Sequence, residues 1–196
     1  MNNKEHQHEG LERQKKGVSS FMLHDSTLIF NELNLKKGNH VLDIGCGAGD
    51  YSIQASKDVG DEGIVYALDR WDEVINNLSK KADSQGLKNI KAVVSDIVHR
   101  LPIEDNSIDV CLLATVLHIP DVIKAEEVLF AEIRRVLKLD GRIAIVEIKK
   151  KEMPFGPPLD MRLSPEDVER LVMKYGFSKA SYIDLGYSYM IQFTLK

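Results

Sequence analysis

The chain has 196 residues, 43% hydrophobic and 29% charged, with a formal net charge of -4 and a pI near 5.9. That length supports one domain with a full hydrophobic core, and the mildly acidic balance argues against the broad basic footprint of a nonspecific nucleic-acid binder. No run approaches the length of a membrane span, the first fifteen residues hold no signal core, and the two cysteines, Cys46 and Cys111, are not a disulfide framework, so a cytoplasmic protein without membrane insertion is expected.

Residues 2–17 are charged and poor in branched apolar side chains, which reads as a frayed helix or a cap ordered by a ligand. His6 and His8 within them are too few for a metal site, and no metal is expected. Between Val18 and Leu35 the side chains Phe21, Met22, Leu28, Ile29 and Leu33 predict one face of a helix, with Gly38 as its stop. Residues 1–37 are therefore read as a tail and helical cap or lid, and residues 38–196 as the domain proper.

The stretch VLDIGCGAGD, residues 41–50, organises the rest. It predicts a buried strand from His40 to Ile44, a tight turn through Gly45, Gly47 and Gly49, and a helix from Asp50 to Val59. A second strand, Ile64 to Leu68, ends in Asp69 and feeds a helix from Asp72 to Gln85, and a third, Ile90 to Ser95, ends in Asp96. Ile108 to Ala114 is a fourth strand, followed by a helix from Val122 to Leu137. Leu139-Asp140-Gly141 predicts a turn into strand five, Arg142 to Ile148. Pro154, Gly156, Pro157 and Pro158 then impose a stiff loop over 149–163. Ser164-Pro165-Glu166-Asp167 is a capped helix start, and Phe177 to Asp184 with Tyr187 to Leu195 predicts a terminal hairpin about Leu185-Gly186. Apolar strands alternating with helices favour a parallel sheet covered on both faces.

A dinucleotide fingerprint needs glycines in the pattern G-x-G-x-x-G, whereas here the third falls one residue early at Gly49 and the sixth position is Asp50. There is no G-x-x-x-x-G-K-[ST] phosphate loop. Asp43 and Asp50 flank the turn, where like charge opposes a pyrophosphate and a cationic ligand fits better. Asp69 suits a ribose diol, and Asp96 completes a row of strand-terminal acids. A nicotinamide oxidoreductase and a non-catalytic binder of an adenosine cofactor stand as the alternatives.

Taken together, VLDIGCGAGDYS, VYALDRW, the SDI after strand three, IEDNSIDV, RRVLKLDGR and the final helix and hairpin resemble a class I S-adenosylmethionine-dependent methyltransferase, of the small type related to the ubiquinone/menaquinone biosynthesis methyltransferases. The resemblance covers roughly residues 38–196. It implies a Rossmann-like three-layer α/β/α sandwich with seven strands in the order 3-2-1-4-5-7-6, the last antiparallel. It also implies S-adenosyl-L-methionine across the carboxyl ends of strands one to four, leaving S-adenosyl-L-homocysteine as product. On that basis Asp43, Gly45, Cys46, Gly47 and Gly49 surround the methionine portion, Asp69 and Arg70 the adenosine, Asp96 and Ile97 the adenine, and Ala114 lies below the sulfonium. The partner is a small-molecule substrate, and a monomer or homodimer is expected.

A sulfonium methyl is already activated, so such an enzyme has mainly to align a nucleophile and strip away water. Where the acceptor must lose a proton, His118, Glu147 and His24 are the candidate bases. The motif set is also similar to arsenite methyltransferases, but two cysteines inside core elements do not supply the converging thiols that arsenic needs. Residues 10–30, 115–121 and 149–163, with Phe21, Met22, Met153, Phe155, Pro157, Pro158, Leu159 and Met161, predict a small and partly hydrophobic acceptor. Lys149 to Lys151 reads first as a solvated run.

Overall fold

In the computed structural model, which describes residues 20–195, seven strands form a single sheet in the order β3-β2-β1-β4-β5-β7-β6. The strands are β1 His40–Ile44, β2 Ile64–Asp69, β3 Ile90–Val94, β4 Ile108–Ala114, β5 Leu137–Ile148, β6 Phe177–Asp184 and β7 Ser188–Leu195. The pairs β1–β2, β2–β3, β1–β4 and β4–β5 are parallel, and β7 runs antiparallel to both its neighbours. The helices are α1 Ser26–Leu33, α2 Asp50–Val59, α3 Asp72–Ser84, α4 Pro120–Lys124, α5 Glu126–Val136 and α6 Pro165–Met173, with short 3-10 turns at Ser20–Leu23 and Leu159–Met161. The readings of residues 2–17, His6 and His8 fall outside the described residues.

The period of two along each strand divides the core between the two faces of the sheet. Leu42, Ile44, Cys111, Leu113, Ile143 and Ile145 pack with α5 and α6 on one face. Val41, Val110, Leu112, Ala144 and Val146 pack with α1 and α2 on the other. Strands buried on both faces explain why β1 and β4 read as mostly apolar rather than alternating. Among the described residues no helix is long and apolar enough to cross a membrane.

Three local expectations change. The helix expected over 122–137 breaks at Ala125 (φ -102°, ψ 19°) into α4 and α5. The turn expected at Leu139–Gly141 is instead a bulge inside β5: Ile108 pairs with Leu137 but Val110 with Arg142, so β5 spends five residues where β4 spends two. A side chain at Gly141 would meet the Lys138 carbonyl at 2.9 Å and the Ile108 carbonyl at 3.0 Å, which is why the bulge needs glycine. Of the side chains expected on the N-terminal helix face, Ile29 and Leu33 are buried while Met22 and Leu28 are exposed, so the packing face is narrower than expected.

Asp25 caps α1, its carboxylate accepting from the Thr27 N–H. The other end is fastened to the sheet. The Arg142 guanidinium donates to the Leu33 carbonyl and to Gln192 Oε1, and Gln192 Nε2 donates to the Glu32 carbonyl at 3.0 Å. This fixes α1 over β5 and β7 and sets Ser20–His24 near the carboxyl ends of β1 and β4.

Candidate active site

The glycine turn is built by its backbone. The N–H groups of Gly45 and Cys46 both donate to the Leu68 carbonyl, at 2.8 and 2.9 Å, lashing the end of β1 to the end of β2. Asp69 makes a second tie: Oδ2 accepts from the Gly47 N–H at 3.1 Å and Oδ1 from the Trp71 N–H at 3.0 Å. The half-buried Asp69 thus braces two loops and keeps a second lone pair on each oxygen for a ligand. The glycines have different reasons to be there. A side chain at Gly45 would lie 2.7 Å from Val116 Cγ2 and one at Gly49 2.3 Å from Leu78 Cδ1, whereas one at Gly47 (φ +51°) meets nothing within 4 Å. Gly47 is the position where bare backbone faces open space, which is a cradle for a ligand.

Asp43 lies beneath this turn, 2% exposed, and accepts a 2.5 Å hydrogen bond from Ser52 Oγ in the first turn of α2. Burial is the largest influence and pushes its carboxyl up to about 7; the Ser52 bond opposes this and the negative charge of Asp69 adds to it. A buried acid poised to ionise is suited to a cation and ill suited to a pyrophosphate. Asp50, the other flanking acid, is paired with Lys81, so its charge is largely spoken for. Arg70 is exposed and lies over the Trp71 ring at 4.7 Å. Asp96 is exposed, with Oδ1 accepting from the Val98 N–H at 3.2 Å, while Ile97 is buried beside it.

Past β4 the backbone is strained. Ala114 is buried and Thr115 has φ 57°, a costly conformation for a β-branched residue. The next turn is held by Glu147 from β5, which is 1% exposed. Its Oε1 accepts from the Leu117 N–H at 2.9 Å and the His118 N–H at 3.3 Å, and Oε2 lies 2.8 Å from His118 Nδ1. Through both oxygens Glu147 clamps this loop to β5. His118 is held at Nδ1 by the same clamp. His24 stands apart from that pair, with Nε2 2.8 Å from Tyr51 Oη.

A profile of the methyltransferase domain matches residues 35–175. The crystal structure of a SAM dependent methyltransferase from Aquifex aeolicus superposes with a TM-score of 0.83 at 31% identity, covering 93% of this chain and 96% of that one. The chain belongs to the S-adenosylmethionine-dependent methyltransferases. Two curated relatives, demethylmenaquinone methyltransferases of Lactobacillus johnsonii and Staphylococcus aureus, are 33% and 32% identical over 85% and 64% of this chain. The chain spans 65% and 50% of their lengths.

In this methyltransferase the structure brings Asp43, Gly45, Cys46, Gly47, Gly49 and Asp69 together around one turn. Ala114 lies on the neighbouring strand, and Asp96 with Ile97 follows β3. The Cys46 and Cys111 thiols are buried, and burial pushes both up, which suits packing and not chemistry. Four residues of the site escaped the sequence reading: Ser52, Tyr51, Thr115 and Arg162. Arg162 is 4% exposed and donates to the carbonyls of Pro157 (2.7 Å), Phe155 (2.8 Å) and Lys151 (2.5 Å), pinning the loop after β5. Only Ser52 and Tyr51 had a local signal, their place directly after the glycines.

Proposed function

We propose that the protein transfers the methyl group of S-adenosylmethionine to a small, partly apolar acceptor, chiefly by alignment and exclusion of water. The observation that carries this reading is the buried Asp43 and bridging Asp69 on either side of a glycine turn that is open above Gly47. The cofactor supplies an electrophilic methyl carbon when bound. Asp43, Gly45, Cys46, Gly47 and Gly49 would hold its methionine part, Asp69 its ribose, with Arg70 flanking the adenosine, Asp96 and Ile97 its adenine, and Ala114 the floor below the sulfur.

Residues 20–37 cap the domain that follows in this reading, and the acceptor lies between Ser20–His24, the loop after β4 and the Arg162-pinned loop after β5. The likeness to the two demethylmenaquinone methyltransferases supports a ring acceptor of quinone type. The working form is a cytoplasmic monomer or homodimer.

Calorimetry with S-adenosylmethionine, S-adenosylhomocysteine and NAD tests the reading. Micromolar binding of the first two and weak binding of NAD is expected. NAD binding more tightly than S-adenosylmethionine would overturn it.

A further inference from the structure

The loop after β5 is built round a buried cation. Arg162 is 4% exposed, and its Nε, Nη1 and Nη2 each donate once, to the carbonyls of Pro157, Lys151 and Phe155, all within the loop itself. A guanidinium has five N–H groups, so one further N–H stays on each terminal nitrogen. Carbonyls are dipoles and not countercharges, and a buried cation is ordinarily matched by an acid. The acids of this neighbourhood are matched to other groups. Asp184 pairs with Lys149 at 2.5 Å and Asp167 with Lys150 at 3.2 Å, while Glu147 alternates to the face of β5 opposite Ile148, where it holds Leu117 and His118. Among the described residues no carboxylate forms an ion pair with Arg162.

A second unmatched group lies beside it. Ser188 is 1% exposed, and its Oγ has no hydrogen-bond partner among the described residues. Ser188 is the cross-strand partner of Ile148, so the two side chains stand next to each other on the face that also carries Val146 and Met190. The loop closes on that same spot. A side chain at Gly156 (φ +87°) would lie 3.0 Å from Ile148 Cδ1 and 3.5 Å from Arg162 Nη2, so bare backbone is what lets the guanidinium approach the end of β5. A buried hydroxyl without a partner and a buried guanidinium without an acid thus flank one residue, Ile148. An anionic oxygen would satisfy both.

We infer that Arg162 and Ser188 form a subsite for an ionised oxygen of the methyl acceptor, a carboxylate or a ring oxyanion. This rests on the methyl-transfer reading, which puts the acceptor between Ser20–His24 and the loops after β4 and β5. The guanidinium supplies the charge, the hydroxyl a directed hydrogen bond, and Ile148 an apolar wall for the group that carries the oxygen. Among the described residues no backbone–backbone hydrogen bond joins residues 152–160 to the sheet, so the loop can lift as one piece around its Arg162 core and admit the acceptor beneath Gly156. The subsite selects acceptors by charge, a property that the glycine turn and Asp43, on the cofactor side, do not supply.

Two pairs of probes test this, each an anion with its neutral counterpart, titrated at neutral pH into protein saturated with S-adenosylhomocysteine. They are 1-naphthoate with 1-naphthamide, and 2,4-dinitro-1-naphtholate with its methyl ether. Wild type should bind the anion of at least one pair about tenfold more tightly than its counterpart, the size of one charge-assisted hydrogen bond. The pair that shows the preference tells a carboxylate from a ring oxyanion. Arg162→Met should erase it. Any loosening of the loop weakens anion and neutral probe alike, so the ratio of the two affinities is the readout. Arg162→Lys, which keeps the charge and loses the fork, should keep part of the preference. Ser188→Ala should cut the preference by about threefold while leaving the melting temperature unchanged or higher, because it removes a buried oxygen that has no partner. A hydroxyl with a purely structural role would do the reverse. Absence of a preference in wild type, or a ratio that survives Arg162→Met, overturns the inference; failure to bind S-adenosylhomocysteine overturns the methyl-transfer reading instead.

Discussion

Two buried carboxylates at the carboxyl edge of the sheet, Asp43 on β1 and Glu147 on β5, are 2% and 1% exposed and yet do opposite work. Glu147 accepts from the backbone N–H groups of Leu117 and His118 and meets the His118 ring, so it is engaged in holding a loop. Asp43 accepts from one residue, Ser52, through its hydroxyl and its backbone N–H, and has a pKa of about 7, so it retains capacity for a cation. Burial therefore does not distinguish a structural acid from a ligand-binding one; the count of donors already committed does.

The largest effect expected from that difference is on stability. Glu147→Ala leaves the buried Leu117 N–H and the partly buried His118 N–H and ring without their acceptor and should cost about 3 kcal/mol. Urea unfolding measures it, and a loss below about 1 kcal/mol would remove the clamp role. Gly49→Ala comes next: φ +74° and a 2.3 Å approach to Leu78 together predict a loss of about 2–3 kcal/mol. Gly47→Ala meets no neighbour and should cost only about 1–2 kcal/mol from its backbone angle. It should nonetheless abolish S-adenosylmethionine binding, because the added methyl enters the cradle. Equal binding losses without cofactor contact at Gly47 would show that the cradle lies elsewhere.

Asp43 is tested by pH. Its folded pKa of about 7 lies above the unfolded carboxylate value, so the stability it contributes is full below about pH 4 and is lost as pH rises through about 7. A bound sulfonium favours the carboxylate and reverses the preference. S-adenosylmethionine affinity should thus tighten by about tenfold from pH 6 to 8, with proton release on binding. The neutral-sulfur product should show a shallower slope, and Asp43→Asn should flatten both. A slope that survives Asp43→Asn would assign the titration to another group.

The cofactor side of this site was legible in the sequence and the acceptor side was not, for a physical reason. His40–Ile44, the three glycines and Asp50–Val59 are contiguous, so apolar periodicity and turn chemistry place Asp43 and Gly47 within ten residues of each other. The clamp joins Glu147 to Leu117 across thirty residues, and the Thr115 hydroxyl donates to Ser20 Oγ across ninety-five. Such pairs leave no local pattern, and Glu147 in sequence looks like any strand-end acid with a free charge. Thr115 is less legible still, because nothing in its neighbours demands a positive φ. The bulge in β5 was half visible: Leu139-Asp140-Gly141 has turn chemistry, but only pairing with β4 shows that the strand continues through it.

A third carboxylate sharpens the rule at the smallest scale. Asp167, in the first turn of α6, accepts from the Ser164 N–H at 3.1 Å while Ser164 Oγ accepts from the Asp167 N–H at 3.2 Å. The backbone bond from Ser164 is the largest influence and holds the Asp167 carboxyl below its ordinary value, with Lys150 adding to it. Its contribution to stability is therefore present above the unfolded pKa and lost as pH falls through the depressed folded one. Ser164→Ala removes the hydroxyl but keeps the backbone donor, so most of the Asp167 depression should survive while the helix loses about 1 kcal/mol of capping. Because Asp167, like Glu147, has its donors committed within the fold, S-adenosylmethionine affinity should not change. A weakened affinity in Ser164→Ala would mean that the start of α6 reaches the cofactor, and that committed donors alone do not separate structural acids from binding ones.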